Sequence, residues 1–331
     1  MKNIAIIGDG GWGTTLAIHL VKKGYRVTLW GPFPEYLKEV EKKRVNSRYL
    51  PGIRIPRQLV FEKDITKAVA FGDLLVFAVP SQFARSVLRN IKKSQSPISQ
   101  KCLLSVTKGI DTKSLLRISQ IVHEELGNIP FAVLSGPTIA REVAVGIPST
   151  AVVASKNRTL AKKIQTIFNS TQFRIYTNSD VIGVELGGSL KNVIAIACGV
   201  CDGLHLGTNT KAAILTRGLA EMARLGKAMG AQQSTLTGLS GLGDLATTCF
   251  SPQSRNRTVG ERLGKGEGIR KILGSLLMVA EGVETARAVY RLSKKYAVPM
   301  PITTEVYHII FKGKKPHQAV ADLMKRRAKP E

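Results

Sequence analysis

The chain is poor in acidic, cysteine and aromatic residues, and each shortage narrows the kinds of protein it can be. Only 23 of its 331 residues are Asp or Glu, against 49 Lys or Arg, so the formal net charge is +26 and anionic partners are favoured. Four cysteines are too few for a disulfide framework in a chain of this length, which indicates reduced thiols and a cytoplasmic location. Aromatic residues make up 6% of the chain, too few for stacking bases, and no nucleic-acid-binding motif occurs, so we expect no nucleic-acid partner.

Long hydrophobic runs are also missing. No stretch approaches the ~18 consecutive apolar residues of a membrane helix, so we expect a soluble protein. The apolar run at residues 4–7 ends in Gly8-Asp9-Gly10 and is too short for a secretory signal, which favours a buried first strand. The basic surplus then allows at most weak peripheral contact with an anionic membrane, and most of it is expected to solvate an outer surface.

Metal and redox chemistry are not indicated. Cys198 and Cys201 have the spacing of a redox or zinc pair, but they lie in an apolar run with no preceding βαβ pattern, so a buried helix is favoured. The five histidines show no metal-ligand spacing. His205 could border an active site, but packing within a loop is favoured. We therefore expect no metal cofactor.

Strand and helix patterns alternate over the first 180 residues. Apolar runs predict strands at residues 2–7, 25–30, 74–79, 102–106, 131–135, 151–154 and 173–177. Amphipathic spacing predicts helices at residues 12–23, 35–43, 81–92 (capped by Ser81) and 114–126. The alternation is typical of an α/β, Rossmann-type doubly wound parallel sheet. Long patterns at 184–200, 211–229, 287–296 and 302–311 then predict an all-helical C-terminal domain, which divides the chain into residues 1–183 and 184–331.

A glycine-rich segment, Gly8-Asp9-Gly10-Gly11-Trp12-Gly13, follows the first strand and opens the first helix, as a dinucleotide-binding turn does. Gly8 permits the tight turn, Gly10 lets the backbone approach a pyrophosphate, and Gly13 lets the helix pack closely on the strand. The helix N-terminus then faces the phosphate charge. The segment predicts NADP(H) and/or NAD(H) as the cofactor and makes residues 1–183 the dinucleotide-binding domain.

The end of the second strand leaves the choice between the two nicotinamides open. An acidic residue at this point binds the ribose 2′-hydroxyl in many such proteins, but Trp30-Gly31-Pro32-Phe33 is followed by no carboxylate before Glu35. The missing acid removes repulsion against a 2′-phosphate, so NADPH is tolerated. No Arg occurs here either, so the positive partner for that phosphate must come from elsewhere.

A series of ordered motifs resembles those of the bacterial NAD(P)-dependent glycerol-3-phosphate dehydrogenases over almost the full length of the chain. The motifs lie at residues 8–17, 46–52, 78–81, 106–109, 134–140, 185–192, 207–212, 241–245, 254–256 and 279–285. Two positions depart from the family pattern: Gly11 stands where Ser is common, and Pro32-Phe33 stands where a basic residue is usual. The resemblance implies reversible reduction of dihydroxyacetone phosphate to sn-glycerol 3-phosphate, which supplies glycerophospholipid synthesis. We also expect a homodimer.

Reducing a ketone requires an acid that protonates the developing alkoxide, and cations that hold the substrate phosphate. Lys191 is the candidate acid, because its apolar neighbours would desolvate it and lower its pKa in a helix that opens after Gly187-Gly188. The resemblance makes Lys191 the catalytic proton donor, with Lys108 as a second Lys and Asp244 as the orienting carboxylate.

The resemblance also assigns the binding residues. Substrate contacts are implied for Lys108, Gly136, Thr138, Lys191, Asp244 and the polar loop triplet Ser254-Arg255-Asn256. Cofactor contacts are implied for Gly8, Gly10, Gly11, Trp12, Gly13, Tyr49, Lys108, Ala140, Arg255, Val279 and Glu281. Asn192 and Thr248 would be polar neighbours of the substrate.

Three other functions compete with this one. A keto-acid reductase of the ketopantoate-reductase type is disfavoured because Ser254-Arg255-Asn256 and Lys108 suit a phosphate monoester better than a carboxylate. A nucleic-acid-binding protein would explain the charge, but its basic residues are spread along the whole chain. A catalytically inactive nucleotide sensor is disfavoured because Lys191, Lys108 and Asp244 are all retained.

Overall fold

The structure, a computed structural model, describes residues 1–94, 97–276 and 278–328. The chain forms two compact units: unit 1 contains Met1–Lys108 and Leu116–Glu185, and unit 2 contains Gly109–Leu115 and Leu186–Glu331. The boundary expected from the sequence, between residues 183 and 184, lies close to the last division. Nothing in the sequence pattern indicates that residues 109–115 belong with the second unit.

Unit 1 is built on an eight-stranded sheet with strand order β3-β2-β1-β4-β5-β6-β7-β8. The strands are β1 (Asn3–Ile7), β2 (Arg26–Trp30), β3 (Val60–Glu62), β4 (Leu74–Phe77), β5 (Cys102–Ser105), β6 (Phe131–Ser135), β7 (Ser149–Ala154) and β8 (Phe173–Asn178). The doubly wound fold is confirmed, but a wholly parallel sheet is wrong for one pair, since β6 and β7 are antiparallel. Their connection contains only a five-residue helix, so the chain returns beside β6 without crossing over the sheet.

Seven helices accompany this sheet in the described part of unit 1. They are α1 (Gly11–Lys22), α2 (Pro34–Lys43), α3 (Ile65–Phe71), α4 (Ser81–Lys92), α5 (Ile118–Leu126), α6 (Ala140–Ala144) and α7 (Arg158–Phe168). Two separate apolar clusters, one on each face of the sheet, completely bury the apolar side chains of β1 and β4. This double burial explains why β4 is a continuous apolar run.

Several elements differ from those expected. Helix α5 begins at Ile118 and not at residue 114, because Leu115 has a left-handed backbone (φ +61°) that interrupts a helix. Ser81, expected as the cap of α4, is its first helical residue, and the N-cap position is taken by Pro80. Our sequence analysis did not predict α3, α6, α7 or the short edge strand β3. Asn157 is nevertheless an ordinary N-cap of α7, since its side chain accepts from the Leu160 N–H at 3.0 Å.

The regular elements described in unit 2 are all helices. Its helices are α8 (Val181–Gly203, whose first residues belong to unit 1), α9 (Gly207–Ala228), α10 (Gln233–Thr237), α11 (Asp244–Phe250), α12 (Arg255–Gly264), α13 (Ile269–Ser275), α14 (Glu281–Lys295), α15 (Pro301–Lys312) and α16 (Pro316–Met324). The four long helical patterns are confirmed in α8, α9, α14 and α15. The shorter helices α10 to α13 and α16 were not anticipated.

Helix α8 is the buried centre of unit 2. The sequence contains no run of 18 consecutive apolar residues, although α8, alone among the described helices, is long and apolar enough to cross a membrane by length and average composition. Because 89% of its most apolar 18-residue stretch is buried inside the protein, α8 is apolar as a core helix is. Cys198 and Cys201 lie in this helix as buried free thiols, which confirms the buried-helix interpretation. Burial raises the pKa of Cys201 to about 11, so this thiol stays protonated at neutral pH.

Helices α8 and α12 touch through their backbones. A Cβ atom at Gly199 on α8 would lie 2.0 Å from the Arg257 carbonyl oxygen, and one at Gly260 on α12 would lie 2.0 Å from the Ile196 carbonyl oxygen. Gly203 approaches α12 in the same way. No side chain fits between the two helices here. This crossing places α12 against the face of α8 formed by Ile196, Gly199 and Gly203.

Candidate functional site

The glycine-rich turn has the geometry that its sequence predicts. Gly8 has φ +122°, and a Cβ atom there would lie 2.5 Å from the Ala78 carbonyl oxygen. A Cβ atom at Gly13 would lie 2.0 Å from the Gly8 carbonyl oxygen, so α1 packs directly on the turn. At Gly10, by contrast, an added Cβ would meet nothing within 4 Å. Gly10 is also the N-cap of α1, whose first turn has no side-chain cap and no acidic residue, so its N–H groups suit an anion.

Four other predicted cofactor residues lie in or beside this turn. A Cβ atom at Gly11 would lie 2.6 Å from the Tyr49 carbonyl oxygen and 3.9 Å from the Ala140 Cβ. The Ser that is common in the family would therefore not fit at Gly11 unless Tyr49 moved. Trp12 follows, and its buried indole Nε1–H has no hydrogen-bond partner within the described ranges. A buried donor without a partner indicates a place where a ligand completes the site.

Lys108 joins two of the predicted substrate residues in unit 1. Its Nζ donates to the Gly136 carbonyl oxygen at 3.0 Å and to Thr138 Oγ1 at 3.3 Å. The Thr138 hydroxyl in turn donates to the Gly136 carbonyl oxygen at 3.1 Å. Gly136 has φ +141°, and a Cβ atom there would lie 2.9 Å from the Ala151 Cα, so glycine is required. The structure thus brings together three residues from two separate strand ends.

Asp9 is a candidate site residue that sequence reasoning missed. Its side chain lies against Gly31, where an added Cβ atom would be 2.3 Å from the Asp9 Cγ. The residue is only 5% exposed, and its Oδ2 has no hydrogen-bond partner among the described residues. Burial raises the pKa of Asp9 from 3.8 to about 6, and the charge of Arg48 opposes this shift. The sequence did contain a clue to this residue, because an acid lies between Gly8 and Gly10, where none is needed to form the turn.

Lys191 projects from the middle of α8 in unit 2. Its Nζ donates to Asp244 Oδ1 and to Thr248 Oγ1, each at 2.6 Å. Lys191 is 6% exposed and Asp244 is 1% exposed, so this ion pair is almost fully removed from water. The Thr248 hydroxyl donates to the Asp244 backbone carbonyl oxygen at 2.6 Å. This bond orients the Thr248 Oγ1 atom, which accepts from Lys191. Asp244 therefore holds Lys191 as the resemblance implied, and Thr248 is its direct neighbour.

The helix that carries Lys191 does not open after Gly187-Gly188, as we expected, but begins at Val181. The two glycines continue the helix because a neighbouring segment approaches it closely. A Cβ atom at Gly187 would lie 2.4 Å from the Ser240 carbonyl oxygen, in the π-helical turn Leu239–Gly243 that leads into α11. This approach brings Asp244, at the start of α11, within reach of Lys191.

The triplet Ser254-Arg255-Asn256 forms a helix N-terminus and not a loop. Ser254 is the N-cap of α12, and its Oγ accepts from the Arg257 N–H at 3.2 Å. The Asn256 side chain donates to Asn192 Oδ1 at 2.9 Å and accepts from the Gly282 N–H at 2.9 Å. Asn192 is the residue next to Lys191, so the start of α12 is tied to the same turn of α8.

Two predicted cofactor residues meet the same end of α12. Arg255 is exposed, and its Nη1 donates to the Val279 carbonyl oxygen at 2.7 Å. Glu281 is the first residue of α14 and directly precedes Gly282, which donates to Asn256. Val279 and Glu281 therefore lie next to the triplet Ser254-Arg255-Asn256 within unit 2.

Other features of the chain lie apart from these residues. Among the described residues, no group of three or more His, Cys, Asp or Glu side chains is arranged to hold a metal ion. His205 is exposed, with a left-handed backbone (φ +56°), and its N–H donates to the Asp202 carbonyl oxygen at 3.1 Å, as a loop residue does. A cavity of about 390 Å³ near Pro301 and Arg326 contains none of the predicted site residues.

Comparisons with known proteins identify the family and the fold of the chain. The family model described as the NAD-dependent glycerol-3-phosphate dehydrogenase N-terminus matches residues 3–161, and the model of the C-terminus matches residues 180–321. The glycerol-3-phosphate dehydrogenase (NAD(P)+) of Geobacter metallireducens is 48% identical over 333 residues, covering 100% of this chain and 99% of the relative. The crystal structure of glycerol-3-phosphate dehydrogenase from Coxiella burnetii matches with a TM-score of 0.95 and 39% identity, over 98% of this chain and 99% of that one.

The competing keto-acid reductases resemble the chain much less. A ketopantoate reductase from Ralstonia eutropha covers 96% of this chain and 99% of its own with a TM-score of 0.62, but only 14% of the residues are identical. That level of likeness indicates a shared fold alone. Both halves of the chain instead match one family in order, and the chain belongs to the NAD-dependent glycerol-3-phosphate dehydrogenases.

Proposed function

We propose that the protein catalyses the reversible, NAD(P)H-dependent reduction of dihydroxyacetone phosphate to sn-glycerol 3-phosphate, a product that feeds glycerophospholipid synthesis. The observation that carries this proposal is Lys191, a buried ammonium held by Asp244 and Thr248 in a chain of this family. A buried ammonium that is oriented by two acceptors suits proton transfer. It is not needed for stability, because well-packed hydrophobic residues would stabilise the fold as well as a buried ion pair does.

The residues around the glycine-rich turn fit the cofactor. The open space at Gly10, the uncapped N-terminus of α1 and the unpartnered Trp12 indole would receive its pyrophosphate and adjoining groups. NAD(P)H supplies the hydride when it is bound. The residues proposed to hold it are Gly8, Gly10, Gly11, Trp12, Gly13, Tyr49, Lys108, Ala140, Arg255, Val279 and Glu281.

Lys191 would act on the substrate oxygen. In reduction its ammonium donates a proton to the oxygen that gains negative charge, and in oxidation the neutral amine takes the proton back. Asp244 is a positioning residue, because its carboxylate fixes the direction of Nζ at 2.6 Å. Thr248 accepts a second N–H bond at 2.6 Å, which further fixes the direction of Nζ. The proposed chemistry uses no metal ion.

The N-terminus of α12 is the proposed phosphate site. Ser254, Arg255 and Asn256 combine a hydroxyl, a guanidinium and an amide with the positive end of a helix, which suits a phosphate monoester. Lys108, Gly136 and Thr138 are proposed to complete the contacts to substrate. This set of residues supports a phosphorylated triose over a keto acid as the substrate.

The phosphate assignment is tested with Arg255→Ala and two substrates. Loss of a charge-assisted bond is expected to raise KM for dihydroxyacetone phosphate roughly 10- to 100-fold, with a smaller effect on kcat. Unphosphorylated dihydroxyacetone should react far more slowly with the native enzyme, because it lacks the remote binding energy, and Arg255→Ala should not slow it further. Steady-state oxidation of NAD(P)H measures all four rates.

The control variant for this experiment is Arg262→Ala. Arg262 lies in the last turn of the same helix and pairs with Glu267 at 2.7 Å, so its loss should leave both substrates unaffected. Equal rates with the two substrates, or an equal loss in Arg255→Ala and Arg262→Ala, would show that α12 does not bind the phosphate.

We further propose a cytoplasmic homodimer whose contact with anionic membrane is at most weak and peripheral. Exposed apolar side chains such as Val145 and Ile147 provide surface that a second copy would cover. Light scattering should give twice the chain mass of 35.9 kDa. Sedimentation with anionic vesicles should show release by about 0.15 M salt, where charges are screened beyond about 8 Å. A monomeric mass, or vesicle binding that survives high salt, would contradict the respective proposal.

A further inference from the structure

No carboxylate follows the end of β2, where one normally selects NADH, but the carboxyl group of Asp9 lies beside that position in the folded protein. In dinucleotide-binding folds an acidic residue at the end of the second strand accepts the ribose 2′-hydroxyl and repels a 2′-phosphate. Here β2 ends at Trp30, and the next residue is Gly31. A Cβ atom at Gly31 would lie 2.3 Å from the Asp9 Cγ and 2.4 Å from its Oδ2. The Asp9 carboxyl therefore fills the space that a side chain at the end of β2 would occupy.

We propose that Asp9 selects NADH over NADPH from within the glycine-rich turn, in place of an acid at the end of β2. The inference rests on the proposed cofactor site at this turn. The turn is held by the Asp9 carbonyl oxygen, which accepts from Thr14 Oγ1 at 3.1 Å and from Asn46 Nδ2 at 2.8 Å. With its backbone so fixed, Asp9 keeps its carboxyl against Gly31.

The state of this carboxyl points to a ligand. Asp9 is only 5% exposed, yet its Oδ2 has no hydrogen-bond partner among the described residues. A buried acceptor without a partner destabilises the fold and persists where a ligand supplies the donor. A ribose hydroxyl is such a donor. A 2′-phosphate would instead place a second negative charge beside a buried carboxylate, where water screens the repulsion only weakly.

The basic group whose charge reaches Asp9 does not reverse this selection. Arg48 is exposed, and its guanidinium lies over the Tyr36 ring, 4.4 Å from the centroid. Solvent screens its charge, while Asp9 is withdrawn from solvent. The Tyr36 hydroxyl, which also faces Asp9, is engaged with Asn46 Oδ1 at 2.6 Å. Asp9 thus remains the group available to the ribose.

The binding test uses the full-length protein, calorimetry, and the two fragments ADP-ribose and 2′-phospho-ADP-ribose. The native protein is expected to bind ADP-ribose roughly 10- to 100-fold more tightly, the range of one hydrogen bond to a charged group. Asp9→Asn and Asp9→Ala should reduce this ratio to near one. The kcat/KM ratio for NADH over NADPH should change in parallel.

Two further variants test whether a different charged side chain sets the ratio. Glu35→Gln removes the next acid along the chain, which is exposed and paired with Lys38 at 2.8 Å, and should leave the ratio unchanged. Arg48→Gln should do the same. Tighter binding of 2′-phospho-ADP-ribose by the native protein, or a ratio that follows Glu35 or Arg48, would overturn the proposal. If neither fragment binds, the proposed cofactor site itself is wrong.

A second readout separates folding from recognition. Because burial raises the pKa of Asp9 from 3.8 to about 6, the folded protein resists its ionisation and loses stability as the pH rises from about 4 through about 6. Asp9→Asn carries no such charge, so its melting temperature should approach that of the native protein near pH 4 and exceed it at pH 8. No gain at pH 8 would mean that the carboxylate already has a partner, and would remove the basis of the proposal.

Discussion

Replacing Lys191 by Ala is expected to lower kcat by about 10²–10⁴-fold, the usual effect of losing a positioned acid. Binding of NAD(P)H should remain nearly intact, because Lys191 is proposed to act only on the substrate oxygen. Single-turnover and steady-state rates with dihydroxyacetone phosphate measure the first effect, and fluorescence titration with NADPH measures the second. Asp244→Asn should give a smaller loss of kcat, because it weakens the orientation of Lys191 but retains its charge.

The substitution also leaves Asp244, which is 1% exposed, without its cation, so a stability control is needed. Lys211→Ala serves this purpose, since Lys211 is another buried lysine of unit 2, paired with Asp202 at 2.8 Å. It should destabilise the fold comparably. The change in kcat should not exceed about tenfold, well short of the loss expected when a positioned acid is removed. Near-normal turnover in Lys191→Ala would remove Lys191 from the mechanism.

Gly260→Ala is expected to lower the free energy of unfolding by about 2–3 kcal/mol, the cost of overpacking a tight contact. Its new Cβ would lie 2.0 Å from the Ile196 carbonyl oxygen, so helices α8 and α12 would have to separate. Because α12 carries the proposed phosphate site and α8 carries Lys191, kcat/KM should fall as well. Urea unfolding and the assay with dihydroxyacetone phosphate measure the two effects.

Gly274→Ala is the matched control for this substitution. Gly274 lies in helix α13, where an added Cβ would meet nothing within 4 Å. Its replacement should raise stability by up to about 1 kcal/mol, because alanine favours the helix more than glycine does. If Gly260→Ala were also neutral or stabilising, the backbone contact between α8 and α12 would not determine the stability of unit 2.

The glycine-rich turn was predictable because local chemistry determines it, whereas the pairing of Lys191 with Asp244, 53 positions apart, was implied only by the family resemblance. A strand, a turn and a helix follow one another within thirteen residues. Each position in the turn requires glycine for a separate steric reason, and the structure confirms this for Gly8 and Gly13. The placement of Lys108 beside Gly136 and Thr138 required the family resemblance. No spacing within the sequence relates residues 28 and 30 positions apart.

The parts that could not be predicted depend on contacts distant in sequence. Gly187 was taken as a helix boundary because glycine lowers helix propensity, but its lack of a side chain is what admits the Ser240 carbonyl oxygen. The direction of β7 depends on its pairing with β6 and β8, which a run of apolar residues does not encode. Asp9 was overlooked because we searched for an acid at the end of β2, and its position beside Gly31 exists only in three dimensions.

The division of the chain between its two units has a consequence for recombination among relatives. Residues 109–115 are counted with unit 2, where the Arg291 guanidinium donates to the Thr112 carbonyl oxygen at 2.6 Å, although they lie between two stretches of unit 1. A chimera made by exchanging a single stretch of gene at residue 185 would therefore combine a helical unit from one parent with a seven-residue insert from the other. A functional exchange has to transplant unit 2 in two pieces, and the shorter piece begins directly after Lys108, a residue proposed to touch both cofactor and substrate.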